Sequence, residues 1–169
     1  MKNVSKIAAG IVLAAACATA SAEPIKVPRS VPYADDSGIA GNIRKECPLG
    51  DQLAGFIVEY SKQRGIATET VASTDDKTPG RVLVVEIRNA ESQGNAFIGH
   101  RKSTSVRGAL YQDGAKVGSF RGRRDSMGGA FAGFKGSCSV LGRTVEALGE
   151  DIAEWLAKPG ENDDLGDLK

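Results

Sequence analysis

The chain has 169 residues, a formal net charge of +1 and only 5% aromatic residues. This length is enough for one domain with a single core. Positive and negative charges are nearly balanced, so the net charge does not indicate nucleic acid or a membrane surface as the partner.

Residues 1–22 have the pattern of a secretory signal peptide. A basic start is followed by the short apolar run Ile7–Ala18 and by an A-x-A cleavage pattern at residues 20–22. The run is too short and too rich in alanine to cross a bilayer, which takes about 20 residues. The sequence therefore predicts a periplasmic or secreted protein with no transmembrane segment. Lipid attachment at Cys17 is the alternative.

Removal of the signal peptide leaves two cysteines, Cys47 and Cys138. In an exported chain such a pair predicts a disulfide bond. Because the enclosed loop is long, such a bond adds on the order of 4 to 5 kcal/mol to the free energy of unfolding in the chain-entropy model.

Residues 23–38 predict an extended, proline-rich arm. Pro24, Pro28 and Pro32 recur every four residues, and proline cannot donate to a strand ladder, so the arm contributes at most part of an edge strand. The following residues 39–158 are predicted to form a single α+β domain, which begins with one or two helical turns before Cys47.

A helix is predicted over about residues 48–64. Pro48 suits its first turn, Asp51 complements the helix dipole, and Gly65 suits its C-terminal cap. Its apolar stripe consists of Leu49, Leu53, Phe56, Ile57 and Tyr60.

The middle of the chain predicts strands and turns. A short strand is predicted at Thr68–Ala72, at the start of a polar connector. The side chains of Arg81–Arg88 alternate between two faces, which predicts a strand, and Asn89–Asn95 is predicted to be a loop. Two further strands, Lys102–Tyr111 and Lys116–Arg123, flank a hairpin signal. Its Asp-Gly pair fits either a two-residue turn or a three-residue loop with a bulge.

An amphipathic helix follows Cys138. Leu141, Val145, Leu148, Ile152 and Trp155 recur at helical spacing, and the sequence Lys-Pro-Gly at residues 158–160 ends the helix. Residues 159–169 are acidic and predict a flexible tail. The predicted fold is α+β in the order α-β-β-β-α, with an antiparallel sheet of three or four strands and two disulfide-linked helices on one face.

Charge is segregated along the chain. The segment from Ile98 to Arg143 has nine bases and two acids, whereas the residues from Thr144 onward have eight acids and two bases. This predicts a basic face for an anionic envelope component or another envelope protein, and the alternative is a solvated face partly neutralised by the acidic helix and tail. The candidate binding residues are Arg107, Lys116, Arg121, Arg123, Arg124, Lys135 and Arg143. Aromatic residues do not interleave with them, which argues against nucleic acid.

The glycine-rich segment at residues 126–137 lacks the spacing of a phosphate-binding loop. An anion held at the following helix start by Lys135 and Arg143 is one interpretation. The alternative is that the glycines only align Cys138 for its bond. The apolar side chains of this segment are interpreted as packing beneath it, and the other interpretation is a small apolar ligand pocket. They belong to Met127, Phe131 and Phe134.

No catalytic or metal-binding motif is present, and no cofactor is expected. His100 is the only histidine. The enzyme alternative is a thiol-dependent or hydrolytic activity centred on Cys138 or His100, and its thiol form requires reduced cysteines.

The segments at residues 95–100, 118–120 and 129–143 (NAFIGH, GSF and GAFAGFKGSCSVLGR) resemble those of small exported proteobacterial proteins grouped as domains of unknown function. The resemblance covers the chain from about Ile39 to Leu156. It implies an envelope location and a compact α+β domain, and it brings no catalytic residues. The function expected from the sequence is that of an exported, non-enzymatic binding domain.

Overall fold

The computed structural model describes residues 23–95, 99–127 and 137–169. The predicted signal peptide, Cys17 and the centre of the glycine-rich segment lie outside these residues. The described elements are β1 (Ile25–Pro28), α1 (Gly41–Glu46), α2 (Leu49–Gln63), β2 (Thr68–Val71), β3 (Arg81–Asn95), β4 (Gly99–Gln112), β5 (Ala115–Met127), α3 (Ser137–Ala157) and β6 (Asp163–Gly166).

The described strands form one six-stranded mixed sheet in the order β2-β1-β3-β4-β5-β6. β3, β4 and β5 are antiparallel neighbours, whereas β1 runs parallel to β2 and β3, and β6 runs parallel to β5. The predicted α+β class is confirmed, but the prediction of a purely antiparallel sheet of three or four strands was wrong. The short strand predicted at Thr68–Ala72 is β2, whereas the N-terminal arm was expected to contribute at most part of an edge strand and β6 was not predicted.

The helices cover one face of this sheet. The predicted stripe of α3 is buried, whereas the α2 stripe is buried except for Phe56 and Tyr60, which are half-buried. Leu53, Ile57, Leu141 and Leu148 have no exposed surface. They pack with β-strand residues such as Leu83 in one core cluster.

Cys47 and Cys138 form the predicted disulfide, with their Cα atoms 5.1 Å apart. Cys47 lies just before α2, and Cys138 is the second residue of α3. The bond therefore joins the starts of two neighbouring helices and closes a sequence separation of 91 residues.

The N-terminal segment differs from the predicted arm. β1 lies inside the sheet, between β2 and β3, with Ile25 and Val27 fully buried. Its prolines do not break the ladder because Pro24 precedes the strand and Pro28 ends it. The apolar residues between the prolines thus form a strand that belongs to the domain.

The C-terminal segment differs from the predicted flexible tail. Residues 163–166 form β6 at the edge of β5, and Leu165 is only 3% exposed. Composition alone indicated disorder because the acids of this segment repel one another. In the fold, arginines of β5 pair with these acids and Leu165 packs into the core, and both contacts offset the repulsion.

Asn89–Asn95, predicted as a loop, instead continues β3 and pairs with β4 beyond an irregularity between Ile87 and Asn89. The partner strand supplies the ladder hydrogen bonds that local propensity did not predict. The β4–β5 connection is a two-residue turn, since Gln112 pairs with Ala115. Asp113 and Gly114 both have positive φ, at 51° and 81°. The bulge lies further along, where Leu110 pairs with Gly118.

Candidate functional site

The sheet surface opposite the helices, here called the open face, carries the candidate site. Because side chains alternate along a strand, the buried Leu83 and Val85 face the helices, whereas Glu86 faces the other way. On β4 and β5 the same alternation places Arg107 and Arg121 on the open face, with both residues exposed.

A row of four charged side chains crosses the open face. Glu86 is paired with Arg107, Arg107 with Arg121, and Arg121 with Asp164, so the row spans β3, β4, β5 and β6. Arg121 Nε lies 2.5 Å from Asp164 Oδ1, whereas Arg107 Nε lies 3.8 Å from Glu86 Oε1. The two arginines are thus direct cross-strand neighbours, and each has its carboxylate on the outer side.

This row forms part of the wall of an open groove with a volume of about 720 Å³. Val84, Ala109 and Tyr111 contribute an apolar side to the groove, and Ser119 contributes a hydroxyl. The groove therefore offers an apolar surface next to two exposed guanidinium groups.

Other predicted bases on this side of the sheet are paired with acids. Lys116 Nζ lies 3.1 Å from Glu161 Oε1, and Arg123 Nη2 lies 3.1 Å from Asp125 Oδ1. The acidic tail and strands thus offset much of the positive charge that the sequence places on the hairpin.

Arg124 lies on the helix side of β5 and not on the open face. Its Nη2 lies 2.6 Å from Oδ1 of Asp151 on α3, and its Nη1 lies 3.2 Å from Oδ1 of Asp167. These partners raise the pKa of Arg124, with the hydrogen bond to Asp151 as the largest cause. This arginine joins α3, β5 and the C-terminal segment.

The predicted anion site at the start of α3 stays a prediction. Arg143 is an exposed residue of α3, on the helix layer and away from the open face, whereas Lys135 lies outside the described residues. Phe131, Phe134 and the side chain of Met127, with the small pocket predicted among them, also lie outside the described part of the chain.

The pairing of Arg121 with Asp164 gives a pH-dependent contribution to stability. A hydrogen bond from Arg121 lowers the pKa of Asp164 from its ordinary value of 3.8. Because the folded pKa is below the unfolded one, the pair stabilises the fold above about pH 4, and this contribution is lost as the pH falls through the folded pKa.

We expect the difference in unfolding free energy between wild type and Asp164→Asn to be constant above about pH 4 and to shrink at lower pH. Urea unfolding at a series of pH values measures it. Asp76→Asn, in an exposed loop, is the matched control. A difference for Asp164→Asn that does not change with pH would contradict the role of this pair.

Sequence reasoning missed Glu86, Asp164 and the apolar side of the groove. The sequence did give a signal for Glu86, because this carboxylate shares a strand face with the apolar Val82 and Val84. Asp164 carried none, because its place beside Arg121 depends on β6 joining the sheet.

The thiol form of the enzyme alternative requires a reduced Cys138. Cys138 is bonded to Cys47 and is not a free thiol. The side chain of His100 lies outside the described part of the chain. Among the residues that the structure describes, no group of histidine, cysteine, aspartate or glutamate is arranged to hold a metal ion. No helix in the described ranges combines the length and apolarity needed to cross a membrane.

No protein-family model matches the sequence, and no curated protein matches it either. Its fold is similar to that of a Xanthomonas campestris protein of the DUF330 family, with a TM-score of 0.53 and 14% identity over 80% of this chain and 84% of that chain. At this identity the similarity shows a shared fold alone.

Two further solved structures align less closely. The PelC dodecamer from Paraburkholderia phytofirmans has a TM-score of 0.49 and 13% identity, covering 76% of this chain and 87% of that one. A minor lipoprotein from Acinetobacter baumannii has a TM-score of 0.43 and 12% identity, covering 78% of this chain and 91% of that one. These two similarities are too low to support a statement about this chain.

Proposed function

We propose that this chain is an exported, non-enzymatic binding domain of the bacterial envelope, which holds an acidic group of its partner between Arg107 and Arg121. The observation that carries the proposal is the direct cross-strand pairing of these two arginines on the open face. Like charges directly opposite each other destabilise a sheet. A bound anion would offset that cost.

The geometry of the pair suits an anionic group. The side chains of Arg107 and Arg121 are 68% and 70% exposed, so they are accessible from solvent. A guanidinium group offers paired donors that match carboxylate or phosphate oxygens. Val84 and Tyr111, on the apolar side of the adjacent groove, provide a surface for the uncharged part of a partner.

The envelope location rests on the signal-peptide pattern and on the disulfide. Disulfides persist in the periplasm and outside the cell but are rare in the reducing cytosol. The Cys47–Cys138 bond supports an oxidising compartment for the folded domain.

A binding role is supported by what surrounds the groove. Its hydroxyl-bearing residues include Thr74, Tyr111 and Ser119. The one histidine, His100, lies seven residues from Arg107 along β4, which is roughly 24 Å at the rise of an antiparallel strand. The backbone of His100 is therefore far from the groove.

The test is anion binding at matched ionic strength. Sodium tripolyphosphate and a short poly-glutamate peptide serve as phosphate and carboxylate probes, and sodium chloride serves as the reference. We expect Arg107→Gln and Arg121→Gln each to weaken binding of the preferred probe about tenfold, the effect of a loss of about 1.4 kcal/mol.

Lys62→Gln is the matched control, because it removes one exposed positive charge from α2 on the helix side. We also expect Arg107→Gln to change the unfolding free energy by no more than about 0.5 kcal/mol, since it removes both the repulsion from Arg121 and the attraction to Glu86. Glu86 keeps Arg88 as a partner at 3.1 Å in this variant. Equal binding by wild type and both arginine variants would refute the proposed site.

A further inference from the structure

The groove on the open face results from the order of side-chain sizes along the strands. Val84 pairs with Ala109 and Ala109 pairs with Ser119, so three short side chains form one row across β3, β4 and β5. On one side of this row lies the row of charged side chains, and on the other side lie Tyr111 and Lys116, which pair with each other. Long side chains thus flank a floor of short ones, and residues of all three rows line the groove.

The floor and the flanking groups of the groove differ in chemistry. Val84 and Ala109, here called the apolar floor, are half-buried. Around them lie hydrogen-bond donors, which include the two guanidinium groups, the hydroxyl of Tyr111 and the side-chain amide of Asn162. Asn162 Oδ1 accepts from Ser119 Oγ at 3.3 Å, whereas no described residue accepts a hydrogen bond from Asn162 Nδ2 or from the Tyr111 hydroxyl. A ligand that suits this groove combines an apolar group with oxygen acceptors.

Arg107 has more donors available than Arg121. Arg121 donates two hydrogen bonds to Asp164, of 2.5 Å from Nε and 3.2 Å from Nη2. Arg107 has an ion pair of 3.8 Å with Glu86, and within the described ranges of the chain its guanidinium donates no hydrogen bond. An incoming acid can therefore bind Arg107 without displacing a hydrogen bond of the protein.

The carboxylates at both ends of the arginine pair limit the ligand to one acidic group there. Glu86 lies on the outer side of Arg107, and Asp164 lies on the outer side of Arg121. A second acid of the ligand along this row would lie beside one of these carboxylates, and like charges repel. Because the apolar floor is the next row, the rest of the ligand extends across the floor toward Tyr111.

The spacing of these features matches a short extended peptide. Arg107 and Tyr111 are four residues apart on β4, which is roughly 14 Å at the rise of an antiparallel strand. An extended chain of four residues spans about the same distance. A carboxylate at the arginines then places carbonyl oxygens of the preceding residues toward the donors of Asn162 and Tyr111. A simple alkyl acid has no such oxygens and leaves these donors unused.

We propose that the groove binds the free C-terminus of a polypeptide whose last residue is apolar. The terminal carboxylate lies between Arg107 and Arg121, and the last side chain lies on the apolar floor. Carbonyl oxygens of the preceding residues accept from Asn162 and Tyr111. This inference rests on the anion site proposed above and names the class of acid that the site takes.

The test is a titration of the isotope-labelled protein, in which its backbone amide signals are followed by NMR. The probe is acetyl-Gly-Ser-Ala-Leu with a free carboxylate, and the reference is the same peptide with a C-terminal amide. A third peptide, the C-terminal amide of acetyl-Gly-Asp-Ala-Leu, has the net charge of the probe but carries its acid away from the end. We expect the free acid to bind about tenfold more tightly than either amide peptide.

Two kinds of variant separate the contribution of the carboxylate from that of the apolar floor. Arg107→Gln and Arg121→Gln are each expected to weaken binding of the free acid about tenfold and to leave the affinity of its amide unchanged. Val84→Thr adds a hydroxyl to the floor, and we expect it to weaken the leucine-ended acid about threefold but not the acid that ends in serine. Lys62→Gln, on α2, is expected to keep the wild-type affinities.

The possible outcomes distinguish this inference from the anion site itself. Equal affinities of the free acid and the charge-matched amide, both reduced by the arginine variants, would retain the anion site and overturn the C-terminal ligand. Tighter binding of octanoate than of the free-acid peptide would also overturn it and would make an amphiphilic acid the ligand. Affinities that neither arginine variant changes for any probe would refute the anion site, and this inference with it.

Discussion

Loss of the Cys47–Cys138 bond is expected to lower the unfolding free energy by about 4 to 5 kcal/mol, because the reduced chain regains the entropy of a long open loop. The bond closes a separation of 91 residues, which places it at the upper end of this effect. For a domain of this size the loss corresponds to a fall in Tm of about 10 to 15 °C. Urea and thermal unfolding of wild type and of the double variant Cys47→Ala, Cys138→Ala measure the change.

Alanine is chosen because Cys47 is only 3% exposed, and a serine hydroxyl there would add a cost of its own. For each protein, the unfolding curve with a reductant is compared with the curve without it. The reductant should lower the stability of wild type and leave the double variant unchanged. Similar wild-type midpoints with and without reductant would show that the bond adds little to this fold.

Gly149→Ala is expected to lower the unfolding free energy by about 1 to 3 kcal/mol, since it forces α2 and α3 apart. A Cβ at position 149 would lie 2.5 Å from Cβ of Phe56 and 3.1 Å from its carbonyl carbon. These atoms belong to the body of α2 and cannot rotate away. The close approach of the two helices therefore depends on the absence of a side chain at position 149.

Gly55→Ala is the matched control, because Gly55 lies inside α2 and has no atom within 4 Å of an added Cβ. This exchange is expected to raise stability by about 0.5 to 1 kcal/mol through helix propensity alone. The two glycine-to-alanine changes thus have opposite predicted signs. Chemical denaturation of both variants measures them, and destabilisation of similar size in both would contradict the packing argument.

The open face shows how far the candidate site was predictable. The sequence identified Arg107 and Arg121 as members of a basic hairpin, because their charge is visible without a structure. It did not place them opposite each other, since that depends on the register of β4 and β5, which the sequence left open at the hairpin turn. It also gave no sign that Asp164, 43 residues after Arg121, would bind it.

By itself the sequence determined the amphipathic helices, the central strand pattern and the cysteine pair. These features depend on local periodicity and on a count of cysteines, and both can be read without knowing the partner segments. The helix stripes were assigned correctly because each has several apolar residues at a 3.6-residue spacing.

Only the tertiary structure decided the places of β1 and β6 in the sheet, the charge compensation of the hairpin and the continuation of β3 through Asn89–Asn95. The prolines that flank β1 and the acids of β6 indicated an arm and a flexible tail, and both strands are stabilised by neighbours far along the chain, such as the core around Leu165. Strand pairing and ion pairing are long-range interactions, so the residues that form them show little local signal. For the same reason the acidic tail, disordered by composition, becomes a strand once the arginines of β5 lie beside it.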